Sequence, residues 1–195
     1  MRRPRMSRVA LACFVAAAAL FFWSARHRAD DARPDSLIER LVGPIASLAA
    51  NLEWVRVDDA LRLERHELAY ARAEIALAIA PGDAEGWIFL AHHFVYERGS
   101  IRREPDRAAR SRWIEAALDL LSRGEKSARE PGRIAFKRGV IFASLALMED
   151  DERPWPGTRR EAWLEAARAF DRAAEAQEPI AREAATAARE AAGSR

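Results

Sequence analysis

The chain has 195 residues, 50% of them hydrophobic, with 32 basic residues, 30 acidic residues and one cysteine. That length suits one domain plus an appendage, with a core that needs no disulfides. The composition excludes a collagen-like, disulfide-framed or wholly disordered chain.

The net charge of +2 misleads, because Arg2, Arg3, Arg5, Arg8, Arg26 and Arg28 fall in a leader that holds no acid. Removing those six from the 32 basic residues leaves 26 against 30 acids, so residues 29–195 are net −4. A phosphate-binding domain carries the opposite bias, so no nucleic acid is expected as a partner.

Residues 1–8 are strongly positive, and an uncharged apolar run follows from Val9 to Trp23, extended by Ser24 and Ala25. Such a run is either a signal-peptide core or a short membrane span. At about 1.5 Å per residue it reaches roughly 25 Å, slightly less than a hydrocarbon core of about 30 Å. Arg8 and Arg26 can snorkel to cover the deficit. Cleavage after Ala25 or Ala29 would place Trp23 or His27 where a small residue is needed, and Phe21, Phe22 and Trp23 resemble an interfacial anchor. The expectation is an uncleaved signal-anchor over 1–25, with a cleaved signal as the alternative. The arginines ahead of the span favour a cytoplasmic amino terminus and an extracytoplasmic domain. Cys13 is the only cysteine, so no intramolecular disulfide can form, and it lies inside the apolar run.

Residues 26–35 are charged and read as a tether, and the domain is expected over 36–195. Ser36 to Glu39 matches a capping box. Ile38, Leu41, Ile45, Leu48, Leu52 and Val55 follow at alternating spacings of 3 and 4, a heptad-like seam expected to pack on the domain that follows. Gly43-Pro44 should break or kink this helix. From there on no period-2 strand pattern occurs. Helical patterns run over 44–63, 66–80, 84–97, 107–127, 133–148, 159–177 and 180–192, separated by Gly- and Pro-containing turns. Thr158 to Glu161 is a second capping box, and the alanine-rich tail suits a half-exposed capping helix. The expected fold class is all-α.

Internal repetition is the deciding signal where it exists. Ala69, Ala76 and Pro81, then Trp87, Leu90, Ala91 and Phe94, fall at the small, bulky and aromatic positions of a two-helix unit. On these residues the segment 51–107 resembles the tetratricopeptide repeat (TPR). A weaker second match uses Gly139, Phe142, Ala167, Ala174 and Pro179, with turns at 99–106, 124–131 and 149–157 longer than the family pattern. The resemblance implies about three stacked α-hairpins. It also implies a concave groove lined from the first helix of each unit: Trp54, Asp58 and Leu61, then Ile88, His92, Val95 and Tyr96, then Phe136 and Val140. A groove of that kind takes a peptide or helix of a protein partner. The same side chains could instead be covered by the 37–57 helix or the tail. The layout also resembles bacterial membrane-anchored TPR-like proteins of unassigned function.

Other constellations are weak. His92 and His93 are adjacent on a helix and diverge by about 100 degrees, so they cannot share a metal, and His66 belongs to another helix. Asp58-Asp59 and Glu149 to Glu152 lack calcium-loop glycines. Arg102, Arg103, Arg107, Arg110 and Arg112 are interspersed with acids and read as a charged helix face, with contact to lipid headgroups or an acidic partner as the alternative. No nucleophile, metal or phosphate-loop motif occurs. The expectation is therefore a non-catalytic adaptor or scaffold with no cofactor, no metal and no small-molecule substrate. It would be held to the membrane through 9–25 and serve as an assembly factor for an envelope complex. A permanent structural subunit of a membrane complex is the alternative.

Overall fold

A computed structural model describes residues 37–193, with side chains described from Ile45 onward. The apolar run 9–25, the tether and the Ser36 cap lie outside the described residues. Among those described, no helix is long and apolar enough to cross a membrane. The chain divides between Leu48 and Ala49, and the unit Ala49–Arg195 carries the architecture that follows.

Among the described residues every regular element is a helix: α1 (Leu37–Arg62), α2 (His66–Ile79), α3 (Ala84–His92) continued by a π-helical segment (His93–Arg98), α4 (Arg107–Ser127), α5 (Pro131–Leu147), α6 (Arg159–Glu175) and α7 (Ala181–Gly193). Local signals account for several ends. Asp83 and Asp106 cap α3 and α4 by accepting from backbone N–H groups of the first turn. Thr158 and Glu161 form both halves of the expected capping box. Pro131 opens α5, where a missing N–H costs nothing, so Pro131-Gly132 belongs to the helix rather than to the preceding turn.

Two expectations are corrected. Helix α1 is continuous through Gly43-Pro44, so the pair does not break it. A proline removes one backbone bond, and flanking turns on both sides hold the helix across it. From Ala50 onward the helix packs on the domain, but not by the described part of its heptad seam. Ala50, Glu53, Val57 and Ala60 face the core, whereas Leu52 and Val55 are exposed on the opposite side. That face carries Glu53, which accepts from Arg72 of α2 at 3.1 Å, and Val57 and Ala60, which join the core, so long-range contacts rather than the seam select the buried side.

Small side chains set the packing throughout. Ala69, Ala73 and Ala76 of α2 are buried, as are Ala162, Ala166, Ala169 and Ala173 of α6 and Ala181, Ala185, Ala188 and Ala192 of α7. Leu90, Ile114, Leu120, Leu121 and Ile134 supply the bulk between them. At Gly139 a Cβ would lie 2.5 Å from the Phe170 ring, so the α5–α6 contact requires glycine there.

From α2 onward consecutive helices pack pairwise, and α3 also touches α5. Ion pairs bridge alternate helices: Glu74 of α2 to Arg123 of α4, Glu85 of α3 to Arg133 of α5, and Glu125 of α4 to Arg172 of α6, separated by 49, 48 and 47 residues. The Arg129 N–H also donates to Gly82 C=O at 3.1 Å, placing the α2–α3 and α4–α5 turns at one end. These bridges span more than the 33 residues between Trp54 and Trp87, because of the long turns.

The arginine run is also corrected in part. Arg110 is 5% exposed and donates to the Glu152 and Pro105 carbonyls, and Arg107 donates to the Arg153 and Asp150 carbonyls. Arg153, 2% exposed, donates to the Leu145, Met148 and Gly157 carbonyls and pairs with Asp150. These three guanidinium groups hold the irregular 148–158 connection by its backbone. The acidic side chains of Glu149 to Glu152 stay exposed.

Candidate functional site

The expected groove residues divide by environment. On α1, Trp54 is half-buried with its ring edge-to-face against Phe89 at 5.6 Å, Asp58 is exposed and paired with Arg62 at 2.6 Å, and Leu61 is half-buried. On α3, Ile88 is half-buried and His92 exposed, while in the π-helical segment Val95 is buried and Tyr96 is 40% exposed, its ring 4.3 Å from that of His92. On α5, Phe136 is half-buried against Phe170 at 5.2 Å and Val140 is half-buried. Phe89, 47% exposed, joins Ile88, His92 and Tyr96 on the outer face of α3. It follows Ile88 directly, and the same helical periodicity that places Ile88 and His92 on that face reaches it.

A second cluster was not legible as such. The expectation of one α-helix over 84–97 is replaced by α-helix to His92 and a wider π turn from His93. The Gly99 N–H closes the turn on Phe94 C=O at 2.7 Å, and a Cβ at Gly99 would lie 2.9 Å from Val95 O. The wide turn swings Val95 into the core and turns His93, Phe94 and Arg98 toward α2 and α4.

There the rings of His66, Tyr70 and His93 form a triangle with sides of 6.3, 6.2 and 5.9 Å. Tyr70 also meets Phe94 at 4.9 Å and Trp113 at 5.8 Å, and the Arg98 guanidinium lies over Trp113 at 5.0 Å. Adjacent histidines thus do diverge as expected, but His93 meets His66 across the fold.

The cluster borders a cavity of about 190 Å³ lined by Leu61, Arg62, His66, His93, Arg98 and Arg103, with Glu64 and Glu97 among the wall residues. In the ring cluster itself four buried polar atoms have no hydrogen-bond partner: His66 Nδ1, Tyr70 Oη, His93 Nε2 and Arg98 Nε. Burial pushes the His93 imidazole below its ordinary pKa, with Glu97 pulling the other way. Burial pushes the Tyr70 hydroxyl up, partly offset by Arg98. Both groups are therefore neutral near pH 7. A more open depression of about 260 Å³ between α1 and α2 has Arg56, Arg65, Arg72 and Asp59 in its wall, and none of its lining residues carries an orphaned atom. Among the described residues no three metal-ligating side chains gather.

Comparison of the chain with family models, with curated proteins and with solved structures finds no match.

Proposed function

We propose that the chain is a membrane-anchored, TPR-like adaptor. Its hairpins hold a peptide or helix of a protein partner, and its job is assembly of an envelope complex rather than catalysis. The supporting observation is the outer face of α3 and its π extension. There Ile88, Phe89, His92 and Tyr96 form a largely apolar row with three exposed rings, flanked by Trp54. Rings on a fixed helix offer contact area at low entropic cost. Side-by-side hairpins suit an array of first helices, and residues 9–25 would concentrate it at a bilayer with the domain outside the cytoplasm.

The test is recovery of partners from detergent-solubilised membranes by the 195-residue chain, compared with Phe89→Ala and Tyr96→Ala. Both variants should lose the same partner by about tenfold, roughly 1.4 kcal/mol, while melting within a few degrees of the parent. Retention of every partner by both variants overturns the assignment. A permanent structural subunit is favoured instead by the exposed Leu52, Leu63 and Leu68 outside that row. A partner that never exchanges through gel filtration and competition with unlabelled chain would decide for it.

A further inference from the structure

We infer that the exposed seam of α1 is the contact surface for a second copy of this chain, the two α1 helices lying parallel and in register as a short two-stranded coiled coil. The parallel alignment rests on the anchor in the proposed function, whereas the seam itself is separate from the outer face of α3.

Ile45, Leu48, Leu52 and Val55 are between 54% and 69% exposed, and they recur along this one helix at spacings of 3, 4 and 3. At about 100° per residue they share a face centred roughly 140° away from Ala50, Glu53, Val57 and Ala60, the residues that face the core. A second helix can therefore lie along the seam without disturbing the Glu53–Arg72 contact to α2. A continuous stripe of large apolar side chains marks a contact surface in a way that scattered ones do not.

The occupant follows from residue type and position. The spacing makes Ile45 and Leu52 a positions and Leu48 and Val55 d positions, and in the sequence it runs back to Ile38 at a and Leu41 at d. Isoleucine at a with leucine at d, twice in succession, is the composition that favours two parallel strands. Gly43 and Pro44 fall at f and g, off the seam. Across a parallel pair, Asn51 at g lies beside Arg56 at e of the other copy, so no like charges meet there. The next a position is Asp59, where two carboxylates would oppose each other, so the seam ends at Val55. Such a contact is self-complementary, as a twofold pair requires.

The chain ahead of α1 fixes the direction. Two copies held by 9–25 in one bilayer, with 26–36 as tethers, present their α1 helices the same way round, whereas an antiparallel pair would send the tethers to opposite ends. The seam is short for a free coiled coil, and confinement to one bilayer supplies the effective concentration that its length does not.

The test is disulfide cross-linking of the full chain in vesicles, with Cys13→Ser as background and one cysteine introduced at a time. Under mild oxidation Leu48→Cys and Leu52→Cys should each give a covalent dimer, and Ser47→Cys, exposed but off the seam, should stay monomeric. Adding Leu52→Asp to Leu48→Cys should lower cross-linking at least tenfold without moving the melting temperature, because the seam faces away from the core. The proposal is overturned if neither seam position cross-links, if Ser47→Cys cross-links equally, or if Leu52→Asp has no effect, which would leave the pairing to residues 9–25. It is also overturned if Ile45→Cys pairs with Val55→Cys in mixed vesicles while Leu48→Cys stays monomeric, the antiparallel result. Shielding of Leu48→Cys from a water-soluble maleimide without any disulfide assigns the seam to lipid or another protein and overturns it too. Alkaline carbonate extraction of the same vesicles reports the anchor separately. If the chain is extracted, the anchor reading fails, and sedimentation equilibrium of the released chain decides the seam: a dimer lost with Leu52→Asp upholds it, and a monomer at every concentration overturns it.

Discussion

Arg153 carries more of the structure than its place in a Pro-rich turn suggests. Its guanidinium donates to Leu145 and Met148 carbonyls at 2.9 Å each, covering the carboxyl end of α5, where helical carbonyls lack intrahelical partners. Substitution Arg153→Met keeps the aliphatic stem but leaves Leu145 C=O only the Met148 N–H at 3.2 Å and Met148 C=O only the Arg159 guanidinium at 3.5 Å. The expected loss is about 3 kcal/mol, read by urea unfolding. A change under about 0.5 kcal/mol would mean that water replaces the guanidinium at no cost. Glu53 shows the complementary case. Burial pushes its carboxyl up, but hydrogen bonds from Arg72 and Arg56 outweigh that, and its pKa lies below the ordinary value. Neither role is visible in the sequence, because both partners of each contact are ordinary surface residue types until the tertiary fold encloses them.

At the scale of elements, the π turn is the informative departure. Its histidine has a folded-state pKa below the ordinary value of about 6.5, because burial disfavours the cation. The unfolded chain therefore binds more protons just below that value. The His93 contribution is complete above pH 6.5 and is lost as pH falls through the depressed value. The melting temperature should drop between pH 7 and pH 5, and His93→Gln should flatten that drop. Glu53 and Glu161, whose carboxyls are also depressed, titrate below this window and do not confuse it. An unchanged pH slope in His93→Gln would refute the assignment. By contrast, the ends of α4 and the capping box of α6 were legible, since Asp106, Thr158 and Glu161 act within one turn of themselves. The π turn was not, because Gly99, Tyr70 and Trp113 stabilise it from outside its own six residues.

For the whole molecule, Trp87 and Tyr96 separate stability from recognition. Trp87 is buried against Gly124, where a Cβ would lie 2.8 Å from its ring, and its indole N–H donates to Pro81 C=O at 2.9 Å. It thus links α3, α4 and the α2–α3 turn. Trp87→Ala should cost about 3–5 kcal/mol in one cooperative transition, seen by calorimetry. Tyr96→Ala should leave that transition nearly in place. A large drop with Tyr96→Ala would make it a packing residue and remove it from the outer face. The ion pairs between alternate helices are mostly exposed and contribute little stability, but their separations near 48 residues record the spacing of the hairpins.

The sequence by itself determined the helices of the domain, most of their ends and the alanine faces on which they meet. Periodicity and capping act over one to three turns, and every residue they need is nearby in the chain. Only the tertiary structure decided which side of α1 is buried, why three arginines are consumed by one connection, and how His66 and His93 come to share a cavity. Those outcomes depend on contacts between residues tens of positions apart. Burial there changes what a polar side chain must do, and no local pattern encodes it.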